Sequence, residues 1–214
     1  VGFGDVYKRQ DIFFKSEENC RINKDLLLKA YNKANPQDKI SDKNITTVIA
    51  AIVGFSCIHP VIRAIDSDKN ILIANKEILV SAGDMIISHL KESKATILPI
   101  DSEHNALLQV ILSSGLEYKI NDDNYYETKI KNLIITASGG PFINHKLEDL
   151  KNVTSVEATQ HPTWNMGKKI SVDSSTMMNK GLEIIEAKLL FNINIDKIKA
   201  LIHRQSKVHA FIEF

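Results

Sequence analysis

The chain has 214 residues, an apolar fraction of 43%, a charged fraction of 25% and a formal charge of +1. Those proportions are of an ordinary globular protein, one large domain or two small ones, with enough apolar surface for a real core. Near-neutral charge gives no electrostatic ground for binding nucleic acid, and no apolar run approaches the ~20 residues of a membrane span, so neither is an expected partner.

Residues 1–10 carry no basic stretch leading into an apolar one, and no strand or helix pattern. They read as a non-native segment outside the fold. Cys20 and Cys57 stand far apart without zinc spacing, as buried thiols of a reducing compartment do. Residues 46–54 form a β-branched run closed by Gly54, a pattern that predicts a buried strand. A short helix is expected over 60–67, a second strand over 70–75, a helix over 77–90 with Gly83 interrupting its apolar stripe, and a third strand over 95–100. Strand and helix alternating without hairpin signals predict a parallel α/β layer, placed at residues 11–98.

From residue 99 the rhythm changes to an α+β part that runs to 214. A helix over 103–112 leads into a polar stretch, 113–131, expected to be a surface connection. A strand over 132–137 ends in Ser138-Gly139-Gly140-Pro141, and 168–172 is expected to be extended. The clearest helix spans 175–191, with Met178, Leu182, Ile185 and Leu189 on one face, and strands over 199–202 and 208–214 follow.

The chemistry-bearing residues lie between these elements. Asp101 and Glu103 follow the third strand, and in an extended segment side chains two apart project to the same side. Hard divalent cations favour such oxygen ligands, but a metal site needs a further group, for which Glu183 is the candidate. Asn179 and Glu183 are neighbours on one helix face, flanked by Lys180, and Ser174 or Ser175 is placed to cap the helix start, where an anion is favoured. A solvated polar face on a capped helix accounts for the same residues. Ser138-Gly139-Gly140 allows close backbone approach to a ligand, although a tight turn uses the same glycines. The loop 161–167, with Trp164, Met166 and Gly167, suits a lid over a substrate, or equally a hydrophobic anchor between layers. Asn75-Lys76-Glu77 stands at the carboxyl end of a parallel strand, where open α/β sheets bind ligands. His104 reads as a residue at a helix N-terminus.

Taken together, Ala50-Ala51-Ile52-Val53-Gly54, Ala74-Asn75-Lys76-Glu77, Pro99 to His104, Ala137 to Phe142, His161 to Gly167 and Ser171 to Phe191 resemble the 1-deoxy-D-xylulose 5-phosphate reductoisomerase family, in the family's order and over roughly residues 44–214. The resemblance implies an interior fragment: the C-terminal part of a Rossmann-like NADPH domain, then a partial catalytic domain. It implies NADPH-dependent rearrangement and reduction of 1-deoxy-D-xylulose 5-phosphate to 2-C-methyl-D-erythritol 4-phosphate, with Mg²⁺ or Mn²⁺. Asp101, Glu103 and Glu183 would ligate the metal. Ser138, Ser174, Asn179 and Lys180 would hold the phosphate, and Ser102, His161, Trp164, His209 and Lys76 would meet the substrate. Asn75, Glu77 and Gly167 would contact the cofactor. The family implies a homodimer at full length, in bacterial cytoplasm or plastids. It opens with a glycine-rich turn for the cofactor phosphates that Val1-Gly2-Phe3-Gly4 does not match, so a fragment that binds metal and sugar phosphate without turnover is the alternative.

Overall fold

The structure, a computed structural model, describes residues 40–120, 122, 124–162 and 165–214. The expectations for residues 1–10, Cys20 and Trp164 therefore lie outside the described residues.

Three short runs of β-branched and aliphatic residues, β1 (Thr47–Ala50), β2 (Asn70–Ile73) and β3 (Thr96–Pro99), form a parallel sheet in the order β1-β2-β3. Its register aligns Thr47 with Asn70 and Asn70 with Thr96. Parallel neighbours require crossovers, which α1 (Ile58–Asp66) and α2 (Lys76–Lys91) supply. β1 is shorter than expected, because residues 51–54 leave the sheet and Gly54 takes φ 77°. α1 buries Val61, Ala64 and Ile65, and Cys57 just before it is buried as well, its thiol pushed up by burial.

Gly83 is no defect in α2. A Cβ there would lie 2.5 Å from Leu189 Cδ1, so the glycine marks where a later helix crosses. The buried face of α2 is Ile78, Leu79, Gly83, Ile86 and Leu90, and the helix kinks at Ala82.

α3 (Ser102–Ser113) follows β3 at once and packs on it and on a second sheet. That sheet has the order β5-β4-β6, from β4 (Asn132–Ala137), β5 (Ile198–Ile202) and β6 (Ala210–Glu213). β5 is parallel to β4 and β6 antiparallel to it, the mixed arrangement of an α+β layer. The expected α/β architecture is present. α4 (Ser155–Ala158) is a single turn with a complete capping box between Thr154 and Glu157.

Several local expectations are corrected. Residues 168–172 are not extended but open α5 (Lys168–Ser175), and α6 begins only at Met178 and runs to Phe191. Ser174 and Ser175 therefore end a helix rather than cap one. Residue Met177 breaks the two helices apart in the left-handed region, with φ 61°. The core face of α6 is only partly the expected stripe, of which Leu182 and Leu189 are half-buried. Met178 and Ile185 are exposed, whereas Lys180, Glu183, Glu186, Ala187, Leu190 and Phe191 are buried. The polar connection 113–131 is more than a surface link: Ile120, Tyr126 and Ile130 are buried, and Tyr126 meets Phe191 edge to face at 6.2 Å. No helix among the described residues is long and apolar enough to cross a membrane.

Candidate active site

Asn75 and Asp101 follow β2 and β3 at their carboxyl ends, and each caps the helix that comes next. Asn75 accepts from Ile78 N–H at 3.2 Å and Asp101 from Ser102 N–H at 2.9 Å. Those caps aim Lys76 and Glu103, in the first turns of α2 and α3, towards one place. Asp101 and Glu103 thus converge through a helix start, not through the extended segment expected for them. α6 closes the group with Asn179, Lys180 and Glu183.

Lys76 Nζ lies 2.6 Å from Asp101 Oδ2 and 2.9 Å from Glu183 Oε1, and donates to Asn179 Oδ1 at 3.2 Å. Lys180 Nζ lies 2.9 Å from Glu103 Oε1 and is also paired with Glu183 Oε2. Asn179 donates to Glu183 Oε1 at 2.5 Å, and Ser102 to Glu103 Oε2 at 2.6 Å. Carboxylate oxygens of Asp101, Glu103 and Glu183 come within 4.8 Å of one another. Three carboxylates against two ammonium groups leave the cluster negative, and its donors are all oxygens. Both features fit a hard divalent cation. Removing such charges from water is costly, and a core does not require it, which makes the cluster the candidate site.

Burial opposes the charge of Lys76, but Asp101, Glu183 and Glu186 outweigh it and hold the amine above the ordinary lysine range. For Asp101 burial acts against ionisation, and Lys76 overcomes it, so the carboxyl lies below its usual range. Glu183 goes the other way. Its burial and the carboxylates of Glu103 and Asp101 push it up, despite Lys76 and Lys180.

A second group assembles where β4 ends. Ser138 Oγ lies 3.1 Å from His161 Nε2, so the turn after β4 holds the base of the 161–167 loop. Burial lowers the His161 pKa and favours the neutral ring. Gly139 and Gly140 have φ of 108° and 72°, and a Cβ on Gly140 would lie 2.3 Å from the Ser174 carbonyl oxygen. The close approach at Gly140 is thus to the end of α5, which sets the turn after Ser138 against Ser174. Ser174 Oγ donates to the Ile170 carbonyl at 2.8 Å. The His209 carbonyl accepts from Thr136 N–H at 3.0 Å, which ties that residue to the same end of β4.

Of the residues expected to contact the cofactor, Asn75 uses its amide to hold the 52–54 loop, donating to the carbonyls of Ile52 and Gly54. Glu77 pairs with Lys169 at 2.6 Å, and Lys169 with Asp173 at 2.6 Å, which fastens α5 to the start of α2. Gly167 immediately precedes α5, exposed, with open space where a Cβ would be. A surface hollow of about 350 Å³ lies elsewhere, lined by Ala95, Thr96, Ile97, Tyr118, Lys119 and Ile120, and none of the candidate residues borders it.

Sequence reasoning placed His104 at a helix start, where it is, without giving it a part in the site, and passed over Glu186. Both are fully buried; His104 Nε2 donates to the Glu183 carbonyl at 2.8 Å and Nδ1 faces Glu186 Oε2 at 3.4 Å. Burial and the charge of Asp101 drive the Glu186 carboxyl up to about 7, although His104 counteracts them. The signal was the three-residue step from Glu183 to Glu186, which puts both on one helix face.

Known proteins are similar to this chain in sequence and in fold. A family model described as the 1-deoxy-D-xylulose 5-phosphate reductoisomerase C-terminal domain matches residues 97–191, and one described as 1-deoxy-D-xylulose 5-phosphate reductoisomerase matches residues 16–83. The likeness thus begins well before residue 44. The reductoisomerase of Clostridium novyi (strain NT) is 42% identical over 205 residues, 96% of this chain and 50% of that protein. That of Clostridium botulinum (strain 657 / Type Ba4) is 43% identical over 202 residues, 94% of this chain and 50% of its own length. A crystal structure of DOX-P reductoisomerase in complex with NADPH, fosmidomycin and magnesium superposes with a TM-score of 0.75 at 40% identity, over 93% of this chain and 50% of that one. The Zymomonas mobilis enzyme in complex with NADPH gives 0.70 at 36%, over 87% and 49%. The chain spans about half the length of the curated relatives it matches. With both family models matched in order and the fold shared, the chain belongs to the 1-deoxy-D-xylulose 5-phosphate reductoisomerase family.

Proposed function

We propose that the protein carrying this chain converts 1-deoxy-D-xylulose 5-phosphate to 2-C-methyl-D-erythritol 4-phosphate, with NADPH and a divalent cation, in isoprenoid synthesis. The observation that carries the reading is the convergence of Asp101, Glu103 and Glu183 with two buried lysines at the carboxyl ends of parallel strands. Membership of the family and the NADPH and magnesium bound by its solved relatives support it. In this reading residues 11–98 contribute part of the cofactor domain and 99–214 part of the catalytic domain.

Asp101, Glu103 and Glu183 hold the cation, which would supply Lewis acidity to neighbouring carbonyl and hydroxyl oxygens of the ketose, while NADPH would supply a hydride. The chain's own residues do the rest. Lys76, whose charged form the neighbouring carboxylates favour, serves as a hydrogen-bond donor to oxygen that gains negative charge. Ser138, Ser174, Asn179 and Lys180 hold the phosphate, with His209 nearby. Ser102 and the neutral His161 donate to or accept from substrate oxygens, and Trp164 covers the substrate and excludes water. Asn75, Glu77 and Gly167 face the cofactor; Asn75 does so partly by fixing the 52–54 loop. A homodimer at full length belongs to the same proposal, and sedimentation of the full-length protein at twice its monomer mass is the expected result.

The direct test is NADPH oxidation by the full-length protein with 1-deoxy-D-xylulose 5-phosphate and Mn²⁺ or Mg²⁺. Turnover that requires all three components is expected, and none under any metal would overturn the reading. The second reading, a fragment that binds metal and sugar phosphate without turnover, concerns the isolated 214 residues. It predicts Mn²⁺ binding by this chain with no measurable NADPH affinity.

A further inference from the structure

Behind the carboxylate cluster lies a polar pair that no contact with solvent explains. His104 and Glu186 are both fully buried, His104 on α3 and Glu186 on α6. His104 Nε2 faces the main-chain carbonyl of Glu183, which can only accept, so this nitrogen carries the hydrogen. The other nitrogen then faces Glu186 Oε2 at 3.4 Å, an ion-pair distance without a hydrogen bond, and neither this nitrogen nor either Glu186 oxygen has a hydrogen-bond partner. A buried polar group left in this way costs stability, and apolar residues would fill the space at less cost. The placement says what the pair does instead. One arm of His104 is hydrogen-bonded to the backbone of a candidate metal ligand, and the other stands at ion-pair distance from the same helix one turn further on. His104 itself is the residue next to Glu103, a second ligand, and α3 is capped by Asp101, the third.

We propose that His104 and Glu186 form a positioning clamp that sets the rotation and height of α6 against α3, and so the spacing of Glu183 from Glu103 and Asp101. The pair acts through the ligands and does not touch substrate. Partners of this kind, one layer behind a metal site, typically change metal affinity by roughly 10–100-fold when removed. The proposal rests on the metal reading of the cluster.

The test is Mn²⁺ binding to the full-length protein, by calorimetry and by the electron paramagnetic resonance of free Mn²⁺, beside thermal unfolding. Glu186→Leu removes the arm at similar volume and is expected to weaken Mn²⁺ binding about tenfold or more. Glu186→Gln keeps a hydrogen-bonding group facing His104 and is expected to stay within about threefold of the parent. A merely structural role would move the melting temperature of both variants and leave the affinity of the folded protein alone. Affinity of Glu186→Leu within threefold of the parent, or equal losses in Leu and Gln, would overturn the clamp. If Glu186→Leu does not fold, His104→Gln decides. Its amide still reaches for the Glu183 carbonyl but lacks the second arm, and undiminished Mn²⁺ affinity in that variant overturns the proposal. Failure of the parent protein itself to bind Mn²⁺ would instead strike the metal reading.

Discussion

At the scale of single residues, the site depends on charges whose values are set by their neighbours. Glu183 touches Lys76, Lys180 and Asn179 at once and carries its backbone on His104, so it is both a ligand candidate and the hub of the cluster. Glu183→Gln preserves size and hydrogen bonding but removes the charge. Turnover of the full-length enzyme is expected to fall about a hundredfold or more with the melting temperature little changed, and near-parent steady-state rates would remove Glu183 from the ligand set. Gly140 is constrained by backbone alone. It combines φ 72° with a 2.3 Å approach of a would-be Cβ to the Ser174 carbonyl, and main chain cannot swing aside as a side chain can. Gly140→Ala is therefore expected to cost about 2–4 kcal/mol in urea unfolding, and a cost under about 0.5 kcal/mol would mean that the turn is not held against α5.

At the scale of elements, α6 shows why periodicity was a partial guide. Of its expected stripe, Met178, Leu182, Ile185 and Leu189, Met178 and Ile185 are exposed and Leu182 and Leu189 only half-buried, while the charged Lys180, Glu183 and Glu186 lie inside. Hydrophobic spacing reports the ordinary trade of apolar surface for water, and a site that pays to bury charges reverses it locally. The strands and the crossovers were legible because β-branched runs and helical stripes follow the ordinary rule. The break between α5 and α6 was not, since it rests on Met177 in a left-handed conformation that local propensity disfavours in a non-glycine residue. Helix crossing gives a sharper test. Gly83→Ala should destabilise by about 1–3 kcal/mol, because its methyl would meet Leu189. Combined with Leu189→Ala, the two losses should sum to clearly less than their separate values in chemical denaturation, and strict additivity would contradict the contact.

At the scale of the whole molecule, two sheets share one helix, α3, which packs on β3 of the first and on β4 and β6 of the second. That sharing puts the start of α3, with Asp101 and Glu103, at the meeting of a parallel layer and a mixed one. The carboxylate pair and its third member were readable from the sequence, because motif order and residue chemistry agreed. What stood behind them was not, because His104 and Glu186 acquire meaning only when α3 and α6 pack. The proposed function places a divalent cation on Asp101, Glu103 and Glu183. An anomalous difference map at the manganese edge, from crystals of the full-length protein soaked in Mn²⁺, tests it most directly. The expected result is a peak at bonding distance from all three carboxylates, with Lys76 and Lys180 displaced from those oxygens. A peak between His104 and Glu186, or none at the three carboxylates, would contradict it.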